Sequence, residues 1–189
     1  MASIVSALLS SLDIGLLLFI IAVGLNIIFG VLNIVNFAHG AIYMLGAYVG
    51  YSCMAMLGMP FWMALVVAPM VAVILAILIE RCMLRFIYGR DISDSLLLTF
   101  ALMLIINESV RMIWGTGIYI IDPPGFLMGT LNFGGFKYPK YSLFVIFMGV
   151  LFLVALWWVF NKTRVGRIVR AASLDRDMSQ LVCINTRLV

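Results

Sequence analysis

Charge is what this sequence lacks most. Of its 189 residues only 11% are charged, whereas 65% are hydrophobic, against roughly a quarter charged and half apolar in ordinary globular domains. That balance excludes a soluble domain. The interval between Asp13 and Glu80 holds no Asp, Glu, Lys or Arg at all. As continuous helix it would measure about 99 Å at ~1.5 Å per residue. Since a bilayer core is about 30 Å thick, the interval has to cross a membrane roughly three times, with turns between crossings. The chain reads as all-α, a polytopic helical membrane protein.

Other absences narrow the function. No GxxxxGK[ST] occurs, so the chain has no phosphate-cradling loop of its own for ATP hydrolysis. A single histidine, His39, excludes a haem held by two histidines of one chain and any histidine-rich metal site. Cys53, Cys82 and Cys183 are far apart with no CxxC spacing, which supports neither a disulfide framework nor a thiolate metal site and leaves buried or interfacial thiols. The first twelve residues carry no Lys or Arg, so the positive leading region of a cleaved signal peptide is missing. With no catalytic constellation in view, the expectation is a protein that is not an enzyme and holds no cofactor or metal.

The apolar runs place about five crossings. They cover about Ile14 to Asn33, Ala41 to Leu57, Phe61 to Ile79, Ser95 to Trp114, and the charge-free interval between Lys140 and Lys162. The second ends at Gly58-Met59-Pro60, where proline removes a backbone donor and restricts the residue before it. The net charge of +4 rests on only twelve Lys and Arg, too few and too scattered for a nucleic-acid surface. Instead they mark topology. Arg81, Arg85 and Arg90 follow the third run, and Lys162, Arg164, Arg167, Arg170, Arg176 and Arg187 follow the fifth. Two crossings separate these groups, so they share a side, whereas the loop from Gly115 to Lys140 offers only Lys137 and Lys140. The positive-inside rule puts the richer side in the cytoplasm and the N-terminus outside.

Polar residues inside the apolar runs are the candidates for function. On a continuous helix Asn26, Asn33 and Gly40, at seven-residue steps, would form one narrow stripe, with Asn36 about 80° round it at ~100° per residue; His39 precedes Gly40. That stripe could line a solute path or mark a broken helix whose backbone groups meet solute. Equally, its amides and His39 could only hydrogen-bond neighbouring helices, and the sequence leaves both readings open. Gly46-Ala47-Tyr48-Val49-Gly50 is a GxxxG, a face made for close helix packing. Glu108 and Arg111, three apart, can pair on one helix face, and a structural ion pair is favoured there over a proton relay. The stretch from Lys162 to Leu181 is too charged to span. As a helix it gathers Val165, Ile168, Val169 and Ala172 on one face, which suits an interfacial helix on the cytoplasmic side resting on membrane lipid or docked to a cytoplasmic partner.

Three blocks, in order, resemble the bacterial branched-chain amino acid ABC transporter permease family in its LivH-like form. The first is Gly30 to Gly40, with Asn36-Phe37-Ala38-His39-Gly40 and the following Tyr43, Gly46 and Tyr48. The second is Ile79-Glu80-Arg81 with Arg85 and Arg90. The third is Thr163-Arg164-Val165-Gly166-Arg167, Arg170-Ala171, Asp175 and Ile184-Asn185, with Cys183 where the family usually has glycine. The resemblance implies a permease subunit of an importer for branched-chain amino acids, or for urea and short amides, in the inner membrane. It implies a second permease subunit, two cytoplasmic ATPases that use the ATP, and an extracytoplasmic solute-binding protein. It also implies that residues 162–181 are a coupling segment, with Arg164, Gly166, Arg167, Arg170, Ala171, Ala172, Asp175, Ile184 and Asn185 facing the ATPase. Family permeases run on for several more spans, so residues 1–189 are expected to be one partial transmembrane domain. A channel or secondary transporter needing no ATPase, and a membrane anchor of a redox complex, are the readings from other classes.

Overall fold

The computed structural model describes residues 2–32, 34–87, 91–133 and 136–174. They form two compact units, one of residues 1–33 and 125–189, the other Ile34–Pro124.

In the first unit, α1 (Ala2–Leu32) packs on α5 (Lys140–Lys162), and α6 (Arg164–Leu174) packs on both. The helix-forming run begins well before Ile14, because Asp13 is accommodated inside α1 rather than ending it. Gly149 of α5 lies against Leu16 of α1, both buried, so closely that a Cβ on Gly149 would sit 3.1 Å from the leucine Cβ. A missing side chain on one helix admits a branched one from the other. Before α5, β1 (Thr130–Phe133) and β2 (Phe136–Pro139) pair antiparallel, with Leu131 opposite Tyr138 and Asn132 opposite Lys137. Tyr138 is buried. The five-helix reading left this hairpin out, although Gly134-Gly135 between TLNF and FKYP is a hairpin signal.

In the second unit, α2 (Ala38–Tyr51) packs on α3 (Phe61–Cys82) and on α4 (Ile92–Trp114). The GxxxG face makes the first contact. Cβ positions on Gly46 and Gly50 lie 3.5 Å from the Cβ atoms of Ala72 and Ala68, so the two helices run antiparallel through two small-residue faces. Ala38, Ala41, Leu102, Ile106 and Val110 form the buried cluster between α2 and α4. α2 then widens into a π-helical turn, Ser52–Met56, and the chain reverses through Gly58, at φ +62°, before Pro60 opens α3.

Among the described residues four helices are long and apolar enough to cross a membrane: Ile4–Gly30, Phe61–Phe86, Ile92–Trp114 and Lys140–Lys162. The expected second crossing is α2 with its π turn, where the regular hydrogen-bond ladder stops at Tyr51. Most large apolar side chains of these helices are exposed, as lipid-facing surfaces require, Phe147, Leu151 and Val154 of α5 among them. The chain is a multi-pass helical membrane protein. Cys53 is buried and Cys82 exposed at the end of α3.

Candidate functional site

Ile34–Asn36 are not helical, so the continuous helix on which Asn26, Asn33 and Gly40 would share a stripe is interrupted after α1. Asn33 itself lies outside the described residues. Asn36, His39 and Gly40 are at the start of α2, and Asn26 is on α1.

Asn36 is buried, and its side-chain Oδ1 accepts a hydrogen bond from the Ala38 N–H at 3.0 Å, while its carbonyl accepts from His39 N–H at 3.3 Å. That local turn satisfies the first donors of α2, the groups a helix cannot bond internally. Thr99 of α4, fully buried, secures the same segment from the other side. Its hydroxyl has one proton to offer, with Ser95 O at 2.8 Å and Val35 O at 3.2 Å in reach. Asn36 thus holds the start of α2 in place. His39 and Gly40 follow on the first turn. The histidine is half-buried, its side chain bonded to nothing among the described residues, and a Cβ on Gly40 would meet open space.

Asn26 is exposed on α1, and with Val23 and Ile27 it lines a groove of about 430 Å³ whose other wall is Phe160 of α5 and Val169, Arg170 and Ser173 of α6. A candidate from the amide stripe thus meets a candidate from the basic segment. Because Val169 faces this groove, part of the apolar face of α6 is used within the chain. Arg164 and Arg167 are exposed and unpaired among the described residues, whereas Arg170 donates to Asn161 Oδ1 at 3.0 Å.

The elbow between α5 and α6 is tightly built. Thr163, in extended backbone, donates its hydroxyl to Val159 O at 2.6 Å and accepts the Gly166 N–H on its Oγ1 at 3.2 Å, which caps α6. Gly166 is buried against the backbone of Val159 and Phe160, closer than any side-chain carbon can approach. Glycine is therefore required here by contact rather than by backbone angle. Ala171 is half-buried; Asp175, Ile184 and Asn185 lie outside the described residues, as does the part of the expected segment beyond Leu174.

Two features went unread in the sequence. The first is a pocket of about 340 Å³ at the end of α4, lined by Met44, Tyr48, Asn107, Val110, Arg111, Gly115 and Thr116. Trp114 donates its indole N–H to Ser52 Oγ at 2.7 Å, and Tyr48 packs on Trp114 at 5.4 Å with the rings tilted by 45° and meets Tyr119 edge-on at 6.1 Å. Arg111 and Glu108 form the expected ion pair at 3.0 Å. The second is Asp13, whose Oδ1 is buried in α1 without a partner among the described residues. No three His, Cys, Asp or Glu among the described residues come together as a metal site needs.

Residues 7–189 match the family described as "Branched-chain amino acid transport system / permease component". The chain is 27% identical over 192 residues to the high-affinity branched-chain amino acid transport system permease protein BraD of Pseudomonas aeruginosa, covering 95% of this chain and 62% of that one. It is 28% identical over 180 residues to the corresponding protein LivH of Escherichia coli strain K12, with 88% and 58% covered. The probable branched-chain amino acid transport permease protein LivH of Methanocaldococcus jannaschii is 26% identical over 178 residues, with 89% and 55% covered. The chain thus spans less than two thirds of the length of the curated relatives it matches. No solved structure matches. On the match over residues 7–189, the chain belongs to this family of transport permease components.

Proposed function

We propose that this member of the branched-chain amino acid transport permease family forms part of the translocation pathway of a bacterial ABC importer that carries branched-chain amino acids across the cytoplasmic membrane. On this reading the N-terminus lies outside, and the elbow at Thr163 delivers α6 to the cytoplasmic surface. A second permease subunit completes the pathway, an extracytoplasmic binding protein delivers solute, and two cytoplasmic ATPases hydrolyse the ATP that this chain has no motif to bind.

The observation that carries the reading is the α5–α6 elbow. A rigid turn built on a glycine in backbone contact presents Arg164 and Arg167 outward from a helix braced on α1 and α5. A brace of this kind passes a push on α6 directly to two spanning helices. A basic helix merely resting on lipid would need neither the brace nor the glycine.

The test is uptake by vesicles that hold the assembled importer, with the chain in its full natural length. Leucine should accumulate only with ATP and binding protein. Uptake of urea or acetamide with leucine excluded would move the substrate to the amide class, and leucine uptake without ATPases would make the chain a channel or secondary transporter. Orientation is tested by single cysteines in a chain freed of its own. Thr130→Cys should react with an impermeant thiol reagent added outside, and Arg167→Cys only after permeabilisation.

A further inference from the structure

The pocket at the end of α4 combines features that the helix packing of its unit does not call for. Arg111 lines it, and its Nη1 donates to Glu108 Oε1 at 3.0 Å. A guanidinium has five N–H donors in a planar fork, so most remain for a second planar anion. Glu108 is not itself on the pocket wall; the ion pair holds it beside Arg111, and its Oε2 has no partner among the described residues. Both side chains are about three-fifths exposed, at 65% and 60%, so neither is sealed into the pair. Asn107, half-buried on the pocket wall, makes no hydrogen bond among the described residues and offers both an amide donor and an acceptor. Met44 and Val110 supply an apolar wall, and Tyr48, held by Trp114 and Tyr119, a fixed aromatic one. The volume of about 340 Å³ lies in the range of small-molecule sites, which are mostly apolar with a few placed polar groups.

We propose that this pocket is a recognition site for a free aliphatic amino acid, with its carboxylate on Arg111 and Asn107, its ammonium on Glu108, and its side chain against Met44 and Val110. The assignment rests on the permease reading, under which this end of α4 faces outside, and it names a site where solute is met before it crosses. The adjacent cation and anion of one ion pair match the adjacent anion and cation of a zwitterion. A neutral amide solute would use neither charge, which is why the pocket favours an amino acid over urea.

The experiment measures binding of leucine, leucinamide, 4-methylpentanoate and urea to the full chain in lipid nanodiscs, by saturation-transfer NMR. Leucine should bind. Leucinamide, without the carboxylate, and 4-methylpentanoate, without the ammonium, should each bind roughly tenfold or more weakly, as loss of a charge-assisted hydrogen bond requires. Urea should give no signal. Arg111→Gln should remove leucine binding, and Thr116→Trp, on the exposed rim, should block it by filling the mouth while leaving the ion pair intact. Equal binding of leucine and leucinamide, or leucine binding unchanged in both variants, overturns the proposal. So does ATP-driven leucine uptake by the assembled importer that neither variant alters, and that result leaves the permease reading standing. Failure of the permease reading looks different: the unaltered importer takes up no leucine, and the pocket assignment falls with it.

Discussion

The backbone leaves the helix ahead of α2 and again ahead of α6, and the two breaks are held by opposite means. Ahead of α2 the chain is buried, and polar side chains are brought in to satisfy it: Asn36 accepts from Ala38 N–H, and Thr99 reaches Val35 O. Ahead of α6 a side chain is left out instead, so that Gly166 can lie on the backbone of Val159 and Phe160, with Thr163 alone as cap. A buried break has to bring its hydrogen-bond partners with it, since an unpaired backbone group away from water costs about as much as a lost hydrogen bond. At the second break the constraint is room. Arg164 and Arg167 stay exposed beside it, with no side-chain partner among the described residues.

This contrast orders the expected losses. Gly166→Ala should be the most damaging small change, because its methyl meets backbone that cannot move aside. We expect a cost of about 1–3 kcal/mol, the range for overpacking, read as a lower midpoint of thermal aggregation in detergent. An alanine tolerated at Gly166 would remove the basis for treating the elbow as rigid. Asn36→Ala should cost about 1 kcal/mol, the usual value of a lost cap, and Asn36→Ser should recover part of it. If serine recovers nothing, Asn36 has a role other than capping. Thr99→Val should cost less, about 0.6 kcal/mol, as is typical for side-chain hydrogen bonds between membrane helices, because its one proton is already shared with its own helix. Gly46→Ala should be nearly silent, since the added methyl would meet Ala72 at an ordinary contact distance of 3.5 Å. A large loss there would mean that α2 and α3 pack more tightly than this.

The spanning helices were legible because apolar length and missing charge carry that information residue by residue, and the GxxxG because its spacing is local. Glu108 and Arg111 were legible for the same reason, lying one helical turn apart. Asn36 was visible as polar, but its job was not: a stripe at seven-residue steps presumes one helix, and nothing between Gly30 and Gly40 fixes where the helix stops. Thr99 could not be linked to Val35, since that contact joins residues 64 apart. Gly149 against Leu16 and the pocket beside Arg111 are likewise products of packing between distant segments. Gly166 stood in a recognised motif, but only the nearness of Val159 and Phe160 gives its reason.

On the proposed function, the braced elbow presents α6 to an ATPase. The most direct measurement places a photo-crosslinking side chain at Arg167 in the assembled importer and asks what it captures in native membranes. The account predicts a crosslink to the ATPase subunit whose yield changes when ATP is added, and which Gly166→Ala weakens by displacing α6. Crosslinks to lipid alone, with the ATPases present and active, would contradict it.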